Sequence, residues 1–118
     1  MRKLDIYFND KKAGVLTEQT PGRGYSFSYD DGYLRSDGYP ISATLPKRSE
    51  PYRSDYLFPF FSNLLPEGAN RKVICRALRL DEKDLFGILS AMAGGDFIGA
   101  VEVKKHEELW NAKLPAHP

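Results

Sequence analysis

The side chains that most often carry out catalysis or bind metals are few in this chain. It contains two histidines, His106 and His117, and one cysteine, Cys75. Both histidines lie close to the C-terminal end, where they are poorly placed to act as general bases inside a packed cleft. They lack the four-residue spacing of a metal-binding pair, and one cysteine cannot build a disulfide or a structural zinc site. We therefore expect no metal and no cofactor, and a buried apolar role for Cys75.

Motifs for nucleophilic catalysis and phosphoryl transfer are absent from the sequence as well. No serine lies in a Gly-x-Ser-x-Gly turn, and no Walker loop occurs. The segment Gly22-Arg23-Gly24 is too short for the glycine-rich loop of a kinase. Asp96-Phe97-Ile98-Gly99 differs from the kinase Asp-Phe-Gly motif by an inserted isoleucine, and no catalytic loop precedes it. The sequence therefore predicts a protein without catalytic residues.

The chemistry that remains is recognition by an apolar turn, Asn63-Leu64-Leu65-Pro66-Glu67-Gly68. Pro66 disfavours helical geometry at Leu65 and makes the turn rigid. Either one leucine faces outward while the other anchors the turn, or both are buried. Polar neighbours fit the rim that surrounds an apolar anchor in a protein interface, and a tryptophan in the tail is the rival anchor. The predicted partner-binding residues are Asn63, Leu64, Leu65, Pro66, Glu67, Arg71 and Trp110.

Composition and charge limit the class of protein further. With 42% hydrophobic residues, the 118-residue chain can form the core of a single domain. Its net charge of +1 argues against a strongly electrostatic nucleic-acid binder. A local basic patch of Lys47, Arg48 and Arg53 is also consistent with a solvated loop. The start of the sequence has no signal-peptide pattern and no apolar run reaches membrane-spanning length, so we expect a cytoplasmic protein with no membrane partner.

The first half of the chain reads as strands joined by turns. Leu4, Ile6 and Phe8 alternate with polar residues, and the same period of two recurs at Tyr25, Phe27 and Tyr29. The stretch 33–38 fits either a loop or one short helical turn. The pattern predicts strands at 4–8, 13–17, 25–29 and 40–46, turns at 9–12 and 21–24, and a loop at 47–55.

The second half changes to helical spacing. A short helix opens near 56–61 with Asp55 as its N-cap, and a second helix over 69–78 has an apolar face. A third helix starts from Asp81, with Asp84 reaching back as in a capping box, and ends at Gly94-Gly95. The apolar face of the second helix comprises Val73, Ile74, Ala77 and Leu78, and a final strand is predicted at 97–103.

The order and spacing of four stretches resemble the HipA N-terminal domain family. They are Phe61 to Gly68 with Arg71, the segment Asp84-Leu85-Phe86-Gly87-Ile88-Leu89, the stretch Gly94 to Val101, and the strand Ile41 to Leu45 followed by Pro46. The resemblance covers 1–104 and leaves 105–118 as a C-terminal tail. It implies an α+β fold, in which a small, strongly bent antiparallel sheet has two to three short helices packed against it. In the family this domain packs on a serine/threonine kinase core.

A stand-alone copy of this domain is similar to the HipS-type subunits of tripartite HipBST toxin–antitoxin systems. The resemblance implies a HipA/HipT-type kinase toxin as partner, which the small subunit binds and neutralises. It also implies a ternary complex with a HipB-type DNA-binding protein. Two alternatives stay open within the family: a non-inhibitory assembly subunit that bridges kinase and HipB-type protein, and an excised N-terminal domain of a longer HipA kinase.

Two further classes of function compete with these interpretations. The aromatic residues Tyr25, Phe27 and Tyr29, with nearby Arg23, could form a stacking platform for single-stranded nucleic acid. The near-neutral charge weakens that hypothesis, so we expect no direct nucleic-acid binding. A small enzyme would need a convergent pocket of His, Asp and Glu side chains.

Overall fold

A computed structural model describes residues 1–93 and 101–106 of the chain. These residues form five strands and four helices. In chain order the elements are β1 Arg2–Phe8, β2 Lys11–Thr20, β3 Arg23–Tyr29, α1 Asp31–Arg35, β4 Tyr52–Ser54, α2 Pro59–Ser62, α3 Gly68–Leu78, α4 Leu85–Ala91 and β5 Val101–Lys105. No helix among the described residues is both long and apolar enough to span a bilayer.

The five strands form one antiparallel sheet in the order β4-β3-β2-β1-β5. The α+β class predicted from the sequence is therefore confirmed, with four short helices where two to three were expected. Local chemistry explains the two hairpins. Asn9 and Asp10 both adopt positive φ, of 51° and 66°, as a two-residue hairpin turn requires. Pro21 and Gly22 close the second hairpin, with Gly22 at a φ of 77° that glycine adopts without strain.

One face of the sheet and the helices form a single core. Alternate strand residues are buried, as the period of two predicts, and they pack with apolar residues of the helices. The rings of Phe27 on β3 and Phe61 on α2 lie 5.7 Å apart, and those of Tyr25 and Phe86 on α4 lie 6.4 Å apart. The sheet therefore supports α4 and also α2, the helix directly before the apolar turn singled out in the sequence.

The strand predicted at 40–46 is wrong. Only an isolated bridge between Ser42 and Leu45 occurs there, closed by a hydrogen bond of 3.0 Å from the Leu45 N–H to the Ser42 carbonyl. The prolines at both ends of this segment provide no N–H for a ladder. The side chain of Tyr29 fixes the loop, since its hydroxyl accepts from the Ile41 N–H at 3.1 Å and donates to the Leu45 carbonyl. Ile41 and Leu45 are buried all the same.

The predicted loop at 47–55 is correct only in part, because Tyr52–Ser54 pair with β3 as the edge strand β4. The predicted final strand is confirmed at 101–103 and extends two residues further. It runs from Val101 to Lys105, while 97–100 lie outside the described residues.

The helix starts differ from the sequence prediction at two places. Phe58, not Asp55, precedes α2, which begins with Pro59 at its first position, where a missing N–H has no cost. Asp84, not Asp81, caps α4 and accepts a hydrogen bond of 3.0 Å from the Gly87 N–H. Asp81 instead accepts from the Lys83 N–H at 2.8 Å. Asp81 therefore stabilises the turn before α4, and Asp84 caps the N-terminus of the helix.

The predicted apolar face of α3 is also wrong in its orientation. Cys75 is the buried residue of this helix, whereas Val73 is 64% exposed and Leu78 is 50% exposed. The C-terminal end fixes this orientation. Arg79 adopts left-handed geometry with φ 57°, and the Leu80 N–H donates to the Cys75 carbonyl at 2.8 Å, which turns Leu80 against the core. Apolar spacing alone does not reveal this closure.

We predict that Tyr29→Phe destabilises the protein by about 1–3 kcal/mol, because the buried Ile41 N–H and Leu45 carbonyl both lose their partner. Urea unfolding followed by circular dichroism measures the change in free energy. Tyr39→Phe is the matched control, since Tyr39 is 74% exposed. An equal effect of both substitutions would contradict the assignment of Tyr29 as the residue that fixes this loop.

Candidate partner-binding surface

A buried carboxylate organises the side of the sheet from which α4 starts. Glu18 on β2 is 1% exposed, and its carboxylate accepts from Arg2 Nε at 2.7 Å and from the Tyr25 hydroxyl at 3.0 Å. The Gly22 N–H donates to the same carboxylate at 3.1 Å. The guanidinium of Arg2 also donates to both carboxylate oxygens of Asp84, at 2.8 and 3.2 Å. One arginine thus joins the sheet to the first residue of the α4 motif.

The sequence prediction did not include this network. Glu18 lies two residues after the buried Leu16, so the alternation of β2 points its side chain inward. A carboxylate at an inward position needs a partner, and this requirement could have revealed from the sequence that a polar network exists. The identity of the partner was not readable, because Arg2 lies 16 residues away and Asp84 lies 82 residues away from Arg2.

The network shifts the pKa values of its members. Hydrogen bonds from Arg2 are the main reason that the pKa of Asp84 is lowered, and the Gly87 N–H adds to the effect. Burial, followed by the hydrogen bond to Glu18, raises the pKa of Tyr25 to about 12. The pKa of Arg2 is raised, chiefly by the hydrogen bond to Asp84. Arg2 therefore stays charged, and Asp84 becomes protonated only at low pH.

The predicted turn has one leucine inside and one partly outside. Leu65 is 4% exposed and belongs to the core, whereas Leu64 is partly buried at its edge. The turn continues α2 through hydrogen bonds from the Leu64 N–H to the Phe61 carbonyl, 3.1 Å, and from the Leu65 N–H to the Ser62 carbonyl, 3.2 Å. The alternative left open by the sequence is thereby resolved. Leu65 anchors the turn, and Leu64 is the leucine that a partner can reach.

The remaining predicted residues divide between rim and support. Asn63 and Glu67 are exposed on either side of the leucines, and Pro66 is partly exposed. Arg71 reaches back from α3, and its Nε donates to the Pro66 carbonyl at 2.8 Å. Arg71 thus fixes the turn, a role that the sequence prediction of a rim residue did not contain. Trp110, predicted as the rival anchor, lies outside the described residues, as do 94–100 of the family-like stretch Gly94 to Val101.

The candidate nucleic-acid platform is not a surface. Tyr25, Phe27 and Tyr29 are 5%, 0% and 4% exposed and form part of the core, so no base can stack on them. Two of the three cations in the predicted basic patch are engaged as well. Lys47 donates to the carbonyls of Ser36 and Gly38, and Arg48 lies 3.7 Å from the centre of the Tyr52 ring. The aromatic-strand hypothesis is therefore wrong.

Residues that are often catalytic do not converge on the turn. Cys75 is buried, as predicted. His106 Nδ1 lies 2.7 Å from Asp5 Oδ1, and Lys12 Nζ lies 3.6 Å from the same oxygen. Within residues 1–93 and 101–106, no group of three or more His, Cys, Asp or Glu side chains could hold a metal ion. The arrangement around Leu64 is an apolar contact with a polar rim, which is suited to binding another protein.

A family model described as the HipA N-terminal domain matches residues 4–104. The chain belongs to the HipA N-terminal domain family. A solved structure of the N-terminal domain of HipA toxin has a TM-score of 0.67 and 30% identity, covering 92% of this chain and 95% of that one. This likeness extends to the fold described above, with its antiparallel sheet and short helices. The predicted boundary between a domain at 1–104 and a tail at 105–118 stays a prediction.

Two relatives of this chain differ in how much of their length the chain covers. An uncharacterised protein of Haemophilus influenzae is 32% identical over 108 residues, which are 92% of this chain and 96% of that protein. The Sinorhizobium fredii protein named "Putative kinase Y4mE" is 32% identical over 109 residues, again 92% of this chain. This chain spans only 26% of the length of the Y4mE protein. The HipA N-terminal domain is thus nearly the whole of one relative and about a quarter of the other.

We predict that Leu65→Ala and Leu64→Ala differ in their effect on stability. Removing the core side chain of Leu65 leaves a cavity and lowers the free energy of unfolding by about 2–4 kcal/mol. Leu64→Ala, at the edge of the core, costs about 1 kcal/mol or less. Urea unfolding of both variants measures the difference. A larger loss of stability in Leu64→Ala than in Leu65→Ala would mean that Leu65, not Leu64, is the outward leucine.

We predict that Asp84→Asn lowers the free energy of unfolding at neutral pH by about 1 kcal/mol. The effect is smaller than for a buried ion pair, because the Asp84 side chain is 35% exposed and solvent screens its charge. Asparagine still caps the helix, so the charge alone is removed. Because the pKa of Asp84 is lower in the folded than in the unfolded state, its ionised carboxylate stabilises the fold at pH values above the unfolded-state pKa of about 3.9. This stabilisation is lost as the pH falls through the folded-state pKa of Asp84. Chemical unfolding across the pH range should show the two proteins converging in acid. Asp31→Asn, an exposed residue of α1, is the control and should show no such convergence.

Proposed function

We propose that this chain acts as a HipS-like antitoxin subunit, which binds a HipA/HipT-type serine/threonine kinase and neutralises it without enzymatic activity of its own. The proposal places it in the cytoplasm with its kinase. The observation that carries it is the turn 63–67, in which Leu64 is partly exposed between the exposed polar residues Asn63 and Glu67. The buried Leu65 and the Arg71 hydrogen bond hold that turn in one conformation, which lowers the entropic cost of binding.

The family membership supports a kinase as the partner. In the protein named "Putative kinase Y4mE", the corresponding domain occupies about a quarter of the chain. In the Haemophilus relative the same domain is nearly the entire protein. A domain that exists both within a longer kinase-named protein and in a short one is expected to recognise kinase surfaces in either arrangement.

Inhibition would follow from where the turn binds. If Leu64 enters the cleft between the kinase lobes, its side chain and the rim residues Asn63 and Glu67 would block closure around ATP or substrate. Only a few residues of an interface usually carry most of the binding energy, and a central apolar side chain with a polar rim fits that pattern. We therefore expect the loss of Leu64 to weaken binding far more than the loss of either rim residue.

The second candidate is a non-inhibitory assembly subunit that bridges the kinase and a HipB-type DNA-binding protein. The Y4mE protein favours this candidate, because its corresponding domain shares one chain with the remaining three quarters of the protein. A domain in that arrangement is a permanent part of the protein that it contacts. An excised N-terminal domain of a HipA kinase would behave in the same way. Both would bind the kinase and leave its activity unchanged.

We predict that Leu64→Asp abolishes neutralisation of the kinase, because it places a charge at the centre of the contact. Co-expression with a HipA/HipT-type kinase from the same genome should restore growth with the wild-type chain and not with this variant. The kinase affinity of the purified variant should fall by at least about tenfold. Tyr56→Asp is the matched control, since Tyr56 is 79% exposed and lies outside the turn.

The same measurements separate the two candidates. Kinase binding that depends on Leu64 but leaves kinase activity unchanged would make this chain an assembly subunit. Full rescue of growth by folded Leu64→Asp, with unchanged kinase affinity, would exclude the turn as the binding surface. Circular dichroism and urea unfolding of each variant establish that it is folded.

A further inference from the structure

The outward side of α3 carries an apolar strip that the other described residues leave exposed. Ala69, Val73 and Ala77 recur every four residues and are all exposed, Val73 by 64%. Residues four apart lie above one another on a helix, so the three side chains form one continuous strip. Cys75, the buried residue of α3, lies on the opposite side of the helix. The strip therefore faces solvent.

A row of cations runs beside this strip. Lys72 and Arg76 are exposed and four residues apart, and the exposed Arg79 follows as the C-cap of the helix. The helix from Gly68 to Leu78 contains no acidic residue. Among the described residues, none of these three cations forms a salt bridge. Three positive charges thus lie on α3 or at its end, in a chain whose net charge is only +1.

A cleft beside α3 adds further charge. It has a volume of about 620 Å³, and its lining includes the cations Arg71, Lys72, Arg76 and Lys83 together with the carboxylates Asp81 and Glu82. The two carboxylates weaken the attraction for negative charge only in the part of the cleft that they line. On α3 itself, no acidic residue neighbours the cations.

We propose that the outward face of α3 is a docking surface for an acidic amphipathic helix of a protein partner. The small side chains of Ala69 and Ala77 allow a second helix to approach to the usual interaxial distance of about 8–10 Å. Carboxylates spaced four residues apart on that helix would match Lys72 and Arg76, which are about 6 Å apart along the helix axis. The surface is separate from the turn around Leu64 and does not depend on the proposed kinase partner.

Charge and shape favour an acidic protein helix over a nucleic acid. A nucleic-acid backbone would gain from the cations but nothing from the branched apolar side chain of Val73 at the centre of the strip. Three cations also release few counterions, which limits affinity for a phosphate backbone. An amphipathic helix satisfies both features, because its apolar side covers Val73 while its acidic side meets Lys72 and Arg76.

The test uses the full chain and a synthetic peptide of about 18 residues, long enough for a stable helix, with glutamates on one face and leucine and alanine on the adjoining face. Fluorescence anisotropy measures its binding at about 0.05 M and 0.3 M salt. A peptide of the same sequence except for a central proline, and an oligothymidylate of equal charge, are compared. We expect the helical peptide to bind at least about tenfold more tightly than either, with affinity falling at the higher salt concentration.

Charge reversal locates the binding site. The pair Lys72→Glu and Arg76→Glu should weaken peptide binding by at least about tenfold, and Val73→Asp should weaken it comparably. The pair Lys11→Glu and Lys105→Glu changes the net charge equally at exposed lysines of the sheet and should leave binding unchanged. The pair Lys72→Ala and Arg76→Ala repeats the measurement with a smaller change in charge, should the reversed helix fail to fold.

Three results would overturn the proposal. The first is an equal loss of binding in the sheet-lysine pair, because attraction would then depend on net charge alone. The second is equal affinity for the proline-containing peptide, because a helix would then not be recognised. The third is tighter binding of the oligothymidylate with competition against the peptide, which would assign the surface to single-stranded nucleic acid.

Discussion

The guanidinium of Arg2 joins parts of the chain that are far apart in sequence. It pairs with the buried Glu18 of β2 on one side and with the helix-capping Asp84 on the other, and it lies 5.0 Å from the centre of the Phe86 ring. A carboxylate that is 1% exposed is tolerated only with such a partner, so Glu18 requires Arg2. The position of α4 relative to the sheet depends on this arginine.

Strand β3 links this network to the candidate binding surface. Tyr25 donates to Glu18 and packs its ring near Phe86, while Phe27 on the same strand packs against Phe61 of α2. Strand β3 thus contacts α4 and also supports α2, the helix directly before the apolar turn. With α2 fixed at one end and the Arg71 hydrogen bond at the other, the turn has little freedom to rearrange. A preformed turn loses less entropy when it binds a partner.

Two surfaces with different chemistry follow one another along the chain. The turn around Leu64 offers an apolar contact with a polar rim, whereas α3 directly after it offers a basic row beside a strip of small apolar residues. Among the described residues, neither surface contains a group of three or more His, Cys, Asp or Glu side chains that could hold a metal ion. This division suits a subunit that contacts more than one element of a larger assembly, in agreement with the proposed role beside a kinase.

The sequence alone determined the hairpins, the alternating strands and the family, because turn residues such as Asn9 and Pro21 and the spacing of apolar side chains act locally. It did not determine which face of α3 is buried, because that depends on the closure of the helix end against the core. Nor did it identify Arg2 as the partner of Glu18 or choose between Leu64 and Leu65 as the outward leucine. Only tertiary contacts decided these points, because burial depends on residues distant in sequence, and local patterns carry no information about them.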